Sequence, residues 1–187
     1  MLERLTTQVG EHPKLALWDP PLCGDIDIEI DREGVWHSQG SPITRERLVR
    51  LLASVLRREA DGHYYLVTPV EKWRIRVQDK PFLLTELRYG KDPESAAEVP
   101  ETDLATVQQD DSGGRRWWLM GPLGVALPVG PSHPWTLAGE LPCILLWHGN
   151  QGRLGRNLYY RLAQQASLRN GEYGVELNGQ WCPLGRA

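Results

Sequence analysis

Asp25-Ile26-Asp27-Ile28-Glu29-Ile30 decides how the chain is read. Side chains alternate faces along a strand, so the three isoleucines share one side and the three acids the other. That is the pattern of a half-buried strand. Asp31-Arg32-Glu33-Gly34 supplies a turn, and Val35 to Ser38 reads as the return strand of a hairpin. Upstream, Pro13, Pro20 and Pro21 force an extended entry around Trp18, and Met1 to Val9 suits a short helix with Leu2 and Leu5 on one face.

Downstream, Ser41-Pro42 has the form of a helix start, a serine cap followed by proline at the first helical position. Leu48, Leu51, Leu52, Val55 and Leu56 give the apolar stripe, and Asp61-Gly62 the stop. Strands follow at Tyr64–Thr68, Trp73–Val77 and Phe82–Tyr89, then at Arg116–Met120, Val125–Val129 and Ile144–Trp147. A second helix is expected over Arg153–Leu168, then a hairpin from Gly174 through the turn Asn178-Gly179, a pair that favours the type I′ turn. Between the strands Phe82–Tyr89 and Arg116–Met120 lies an acidic loop at about 90–114, read as a solvated extension.

The spacing suggests a duplication. Tyr64-Tyr65-Leu66-Val67-Thr68-Pro69 is similar to Trp117-Trp118-Leu119-Met120-Gly121-Pro122. The same offset, carried forward without a gap, sets Pro81-Phe82-Leu83-Leu84 on Pro134-Trp135-Thr136-Leu137. The expected fold is therefore α+β: two small related α/β units with antiparallel-rich sheets and one amphipathic helix each. Their expected bounds are residues 1–79 and 80–187, with the concave place for a ligand between them.

A chain of 187 residues with a net charge of −3 lacks the positive field that nucleic acid or a membrane surface requires, so neither is expected as a partner. Cys23, Cys143 and Cys182 are scattered, form no zinc motif, and read as buried thiols of a reducing, cytoplasmic compartment. The longest apolar run, Cys143 to Trp147, is too short to cross a bilayer. No nucleophile elbow, Cys-His pair, dinucleotide loop or phosphate loop is present in the sequence.

The candidate site residues are Thr68, Glu71, Lys72, Arg45 and Asp25. Thr68-Pro69-Val70-Glu71-Lys72 puts a hydroxyl, a carboxylate and an ammonium near one turn, where Glu71 could accept from a ribose or base and Lys72 or Arg74 could meet a phosphate. An ordinary turn with a paired carboxylate is the plainer account of the same residues. Arg45, with Arg47, Arg50 and Ser41, stands where a helix N-terminus could hold a phosphate; a plain serine cap with solvated arginines is the alternative. Asp25, Asp27 and Glu29 as a set read as the wet side of a sheet rather than a metal or acid–base pair. A second reading is a hydrolase using Glu71 or Asp79 with a metal, and a third is a protein-interaction module. No cofactor is specified by the sequence.

Several stretches resemble an uncharacterised bacterial family, domain of unknown function 1285. They are Pro21-Leu22-Cys23-Gly24-Asp25-Ile26-Asp27-Ile28, Gly34-Val35-Trp36, Gly40-Ser41-Pro42-Ile43, Tyr65-Leu66-Val67-Thr68-Pro69-Val70-Glu71 and Val77-Gln78-Asp79-Lys80-Pro81-Phe82. The resemblance implies a duplicated architecture whose second half is similar to pleckstrin-homology-like folds. It also implies a small, nucleotide-like ligand where the halves meet and a non-enzymatic role in signal transduction.

Overall fold

The structure, a computed structural model, describes residues 14–98 and 113–187. The helix expected over Met1–Val9 and most of the acidic loop lie outside the described residues. What is described is an α+β fold of short, mainly antiparallel strands with two α-helices. It divides into two units, Met1–Leu83 with Leu146–Gly152, and Leu84–Leu145 with Arg153–Ala187.

Unit 1 contains β1 (Leu22–Ile30), β2 (Trp36–Ser38), β3 (Ser41–Pro42), α1 (Glu46–Ser54), β4 (Leu56–Arg58), β5 (Tyr64–Val67) and β6 (Lys72–Val77). They form one six-stranded sheet in the order β3-β2-β1-β6-β5-β4. Every neighbouring pair is antiparallel except β1 with β6. A parallel pair needs a long crossover, and everything from β2 to β5, including α1, lies within it. Ile28, Ile30, Trp36, Leu56, Leu66 and Ile75 from the sheet, with Val49 and Ala53 from α1, are buried. Each large apolar side chain so buried contributes about 1.5–3 kcal/mol. All four residues of β5 are buried, so it is covered on both faces. Leu15, in a single turn of 3-10 helix at Leu15–Leu17, and Trp18 pack on Tyr65 and Val67, so the entry segment covers one of those faces.

Several boundaries depart from the sequence reading. Ser41-Pro42 does not start the helix: both residues pair with His37 and Ser38 as β3, and Arg45 occupies the cap position of α1 without a side-chain hydrogen bond. The helix stops at Ser54, and Leu56, expected on its stripe, is a fully buried residue of β4. Val49, not Leu48, faces inward; Leu48 is 41% exposed. Asp61-Gly62 is the β4–β5 hairpin turn, closed by Gly62 N–H donating to the Glu59 carbonyl at 3.0 Å, with Gly62 at φ +84°. Ile26 is 38% exposed although Ile28 and Ile30 are buried. There β1 bulges: Asp25 pairs with Arg74 and Glu29 with Arg76, so two extra residues of β1 fit against one step of β6. Two extra residues preserve the alternation, and the acids stay on one face.

Two strands run through the changes of unit, β7 (Phe82–Leu84) and, further on, β14 (Gln151–Leu154). In unit 2, β8 (Glu86–Gly90), β9 (Ala97–Glu98), β10 (Arg116–Gly121) and β11 (Val125–Pro128) form a sheet in the order β11-β10-β8-β9. β12 (Trp135–Ala138) and β13 (Leu141–Leu145) make a hairpin. α2 (Arg156–Ala163) buries Leu158 and Leu162 and packs on β16 (Glu172–Leu177) and β17 (Gln180–Arg186). These two strands share a sheet with β15 (Ser167–Arg169). The single strand expected at Phe82–Tyr89 is broken at Thr85, whose N–H turns to the Met120 carbonyl at 2.8 Å. The helix expected over Arg153–Leu168 loses its first residues to β14 and its last to β15. Ile144–Trp147 shifts to β13, leaving Trp147 in a turn of 3-10 helix. Asn178-Gly179 is the turn that was expected, with φ of 52° and 71°. The stretches compared for a duplication, in β5 and β10, are both strands between two antiparallel neighbours; that likeness of single strands does not establish related units.

Candidate functional site

Of the residues singled out by sequence, Thr68, Glu71 and Lys72 serve the β5–β6 hairpin. Thr68 Oγ1 accepts from the Glu71 N–H at 3.1 Å and the Val70 N–H at 3.4 Å, and the Thr68 N–H donates to the Glu71 carbonyl at 2.9 Å. The Glu71 carboxylate accepts from Trp73 Nε1 at 3.3 Å. Lys72 Nζ reaches both oxygens of Glu59 at 3.2 Å and lies 5.4 Å from the Tyr65 ring centroid. Arg45 stands exposed before α1. Glu71 and Asp79 flank opposite ends of β6, about 26 Å apart at 3.3 Å per residue, too far to share a cation. Among the described residues no group of three His, Cys, Asp or Glu side chains is placed to hold a metal ion.

Asp25 has the richer setting. The parallel register of β1 and β6 sets acids against arginines along one face of the sheet. Asp25 Oδ1 and Oδ2 accept from Arg74 Nε and Nη2 at 2.7 and 2.9 Å, a bidentate pair. Arg76 donates from Nη2 to Asp27 at 2.9 Å and from Nε to Glu29 at 3.2 Å, and Gln78 donates to Glu29. Beside this ladder is a concavity of about 720 Å³, lined among others by Asp25, Arg58, His63, Arg74, Arg76 and Gln78. Arg58 lies 5.8 Å over the Tyr64 ring and has no acidic partner among the described residues, whereas His63 interacts electrostatically with Asp25 and Asp61. A second hollow of about 430 Å³ shares Glu29, Arg76 and Gln78 but adds Asp27, Asp31, Glu33 and His37. The face thus grades from a basic end at Arg58 to an acidic end at Glu33.

The titrations follow from these contacts. Hydrogen bonds from Arg74 hold the Asp25 carboxyl below the usual range, and Gln78 followed by Arg76 does the same for Glu29. Burial pushes Asp31 up, but His37 and the amides of Val35 and Glu33 outweigh it and leave it lowered. Asp61, which accepts from the Tyr65 hydroxyl, is lowered, while the phenol of Tyr65 is pushed up to about 12. Asp25, Glu29, Asp31 and Asp61 are therefore ionised at neutral pH, suited to steering and holding a ligand more than to donating a proton.

Arg58, His63 and Arg76 were not singled out from sequence; Arg74 was, as a donor to a phosphate beside Lys72. A signal existed: Arg74-Ile75-Arg76-Val77-Gln78 alternates with the same period as Asp25 to Ile30 and with the opposite charge. Strands so matched belong side by side. Of the expected buried thiols, Cys143 and Cys182 are buried and Cys23 is exposed. No helix among the described residues is long and apolar enough to cross a membrane.

Comparison with known proteins places the chain. None of the curated proteins matches it. A family model described as "Domain of unknown function (DUF1285), N-terminal domain" matches residues 13–80. The crystal structure of a DUF1285 family protein from Shewanella baltica OS155, at 23% identity, covers 75% of this chain and 92% of that one with a TM-score of 0.52, a likeness of fold. A second, from Silicibacter pomeroyi DSS-3, is 30% identical and covers 98% of this chain and 92% of that one with a TM-score of 0.74. Similarity that runs nearly end to end at this identity shows that the chain belongs to the DUF1285 family.

Proposed function

We propose that the chain is a non-enzymatic, regulatory binding module for a small anionic ligand, phosphate- or carboxylate-bearing and up to nucleotide-like in size, held on the charged face of unit 1. The observation that carries the reading is Arg58. It lines a concavity of about 720 Å³ in which Arg74 and Arg76 are already engaged by acids, and its guanidinium has no acidic partner among the described residues. A volume of that order suits a small metabolite. Arg74 adds a guanidinium whose fork matches a carboxylate or phosphate group. Binding rather than turnover is supported by the carboxyls of Asp25 and Glu29, held below their usual range and so unsuited to donating a proton.

The test is thermal denaturation of the purified chain with inorganic phosphate, citrate and adenosine 5′-monophosphate, at matched ionic strength. A ligand held at about 100 times its Kd adds about 2.7 kcal/mol. For a chain of this length that is a rise of about 5–10 °C in Tm. Arg58→Ala should abolish the rise. A flat response across the panel by folded protein, or a rise that survives Arg58→Ala, overturns the reading.

A further inference from the structure

His63 stands exposed at the end of the β4–β5 hairpin, in the wall of the concavity that Arg58 lines. Its backbone is fixed: the His63 N–H donates to Asp61 Oδ1 at 2.9 Å, and the His63 carbonyl accepts from the Glu59 N–H at 3.1 Å. Histidine is the side chain that gains and loses its charge within the physiological pH range. Asp25, Glu29 and Asp61 are all held below the usual carboxylate range and keep their charges there.

The formal charges around this ring cancel. Three carboxylates, Asp25, Glu29 and Asp79, and three guanidinium groups, Arg58, Arg74 and Arg76, line the concavity. Arg74 holds Asp25, Arg76 holds Glu29 and Asp27, and Lys80 reaches Asp79 at 3.2 Å. Asp61, in the turn that carries His63, accepts from the Tyr65 hydroxyl at 2.5 Å, and that phenol, pushed up to about 12, stays neutral. On β4, Glu59 is held by Arg57 and Lys72. From β14 the lining adds Gln151, which carries no charge. With a neutral His63 ring the lining therefore has no net charge, and with a protonated ring it has one positive charge. Asp25 and Asp61 lie within electrostatic reach of the ring, so the proton is accommodated before a ligand arrives. His63 decides the sign of the field that an incoming anion meets.

We infer that the anion site of unit 1 is switched by pH through His63: protonation of its ring strengthens anion binding, and a bound anion in turn draws a proton onto the ring. The inference rests on the anion-binding reading of unit 1 and adds the group that sets when the ligand is held. The two effects are one coupling seen from its two sides. Binding is strongest below the titration of the ring and weakens as pH rises through it. A ring charge about 6 Å from a dianion, in a water-like dielectric, changes the binding constant about tenfold. His63 is exposed, so the coupling shrinks as salt is added.

The test uses the full chain and inorganic sulfate, which stays a dianion between about pH 5.5 and about pH 8 and adds no titration of its own. Isothermal titration at constant ionic strength gives the Kd across that range. Repeating the titration near neutrality in two buffers of different ionisation enthalpy reports the protons taken up. The Kd should weaken about tenfold from the acidic to the alkaline end, with part of a proton taken up per sulfate in between. His63→Gln, at an exposed position and with the backbone N–H kept, should flatten the profile at its alkaline value and abolish the uptake. His37→Gln, in the neighbouring hollow, should change neither. Sulfate binding that Arg58→Ala abolishes but that does not vary with pH overturns the switch and leaves the site standing. So does a pH dependence that survives His63→Gln or is lost in His37→Gln. Absence of binding at every pH, by sulfate and by the phosphate, citrate and adenosine 5′-monophosphate panel alike, removes the site and the switch together.

Discussion

Replacing Asp25 by asparagine removes the carboxylate that occupies Arg74 through hydrogen bonds of 2.7 and 2.9 Å and keeps the side chain's size. If an incoming anion takes Arg74 for itself, Asp25 is its intramolecular competitor, and the substitution strengthens binding. The two side chains are 66% and 40% exposed, so the pair is solvent-screened and opens easily. Removing one negative charge about 4 Å from a bound ligand, in a water-like dielectric, changes a binding constant about fivefold for each ligand charge. A monoanion should therefore bind about fivefold tighter to Asp25→Asn and a dianion about 25-fold tighter, with the gain shrinking as salt is added. Isothermal titration with inorganic phosphate, on both forms and at two ionic strengths, measures it. Weaker binding would mean that Asp25 contributes an acceptor to the ligand or positions Arg74. Unchanged binding would mean that the anion never meets Arg74. Either result refutes the competition.

Three further outcomes are expected. Asn150 is fully buried and donates from Nδ2 to the Leu56 carbonyl at 2.8 Å, so Asn150→Ala should cost about 1–3 kcal/mol, read as a lower urea midpoint. Native protein should take up one equivalent of a thiol reagent at mildly alkaline pH, at Cys23, and all three cysteines should react after denaturation, because burial pushes the Cys182 thiol up to about 12. Asp25, Glu29, Asp31 and Asp61 are all lowered by folding, so their stabilisation is complete above the unfolded values and is lost as pH falls through the folded ones. The urea midpoint should stay level down to about pH 5 and drop below about pH 4. Tyr65 acts at the other end: raised from 10.0 to about 12, it contributes stability that is lost as pH climbs between those values.

The elements legible in the sequence were those whose side chains alternate and whose turns carry their own chemistry. β1, the β16–β17 turn and the acid-lined face could be read because period-two patterning and Asn-Gly are local signals. The end of α1 was misplaced because Leu56 is apolar for a sheet reason: as part of β4 it pairs with Leu66 of β5 rather than continuing a helical stripe. Ser41-Pro42 carries strong helix-start chemistry but is a two-residue strand, because β2 stands beside it and pairs with it. The candidate site was half visible. Asp25 lies in it, but its partners come from a strand 49 residues away in parallel register, and a pairing of that range leaves no mark in a short window. Arg58 was hidden for the same reason that β4 was.

The return of Leu146–Gly152 to unit 1 has a consequence in time. On the ribosome, residues up to Leu83 are complete well before Asn150 exists to meet the Leu56 carbonyl. At about 5–20 residues per second, the intervening chain takes several seconds to appear. Through that interval β4 waits as a sheet edge whose covering segment has not been made, open to chaperones and to pairing with other nascent chains. Slow codons or a stalled ribosome between Leu83 and Leu146 would lengthen that exposure without altering a single residue of the finished protein.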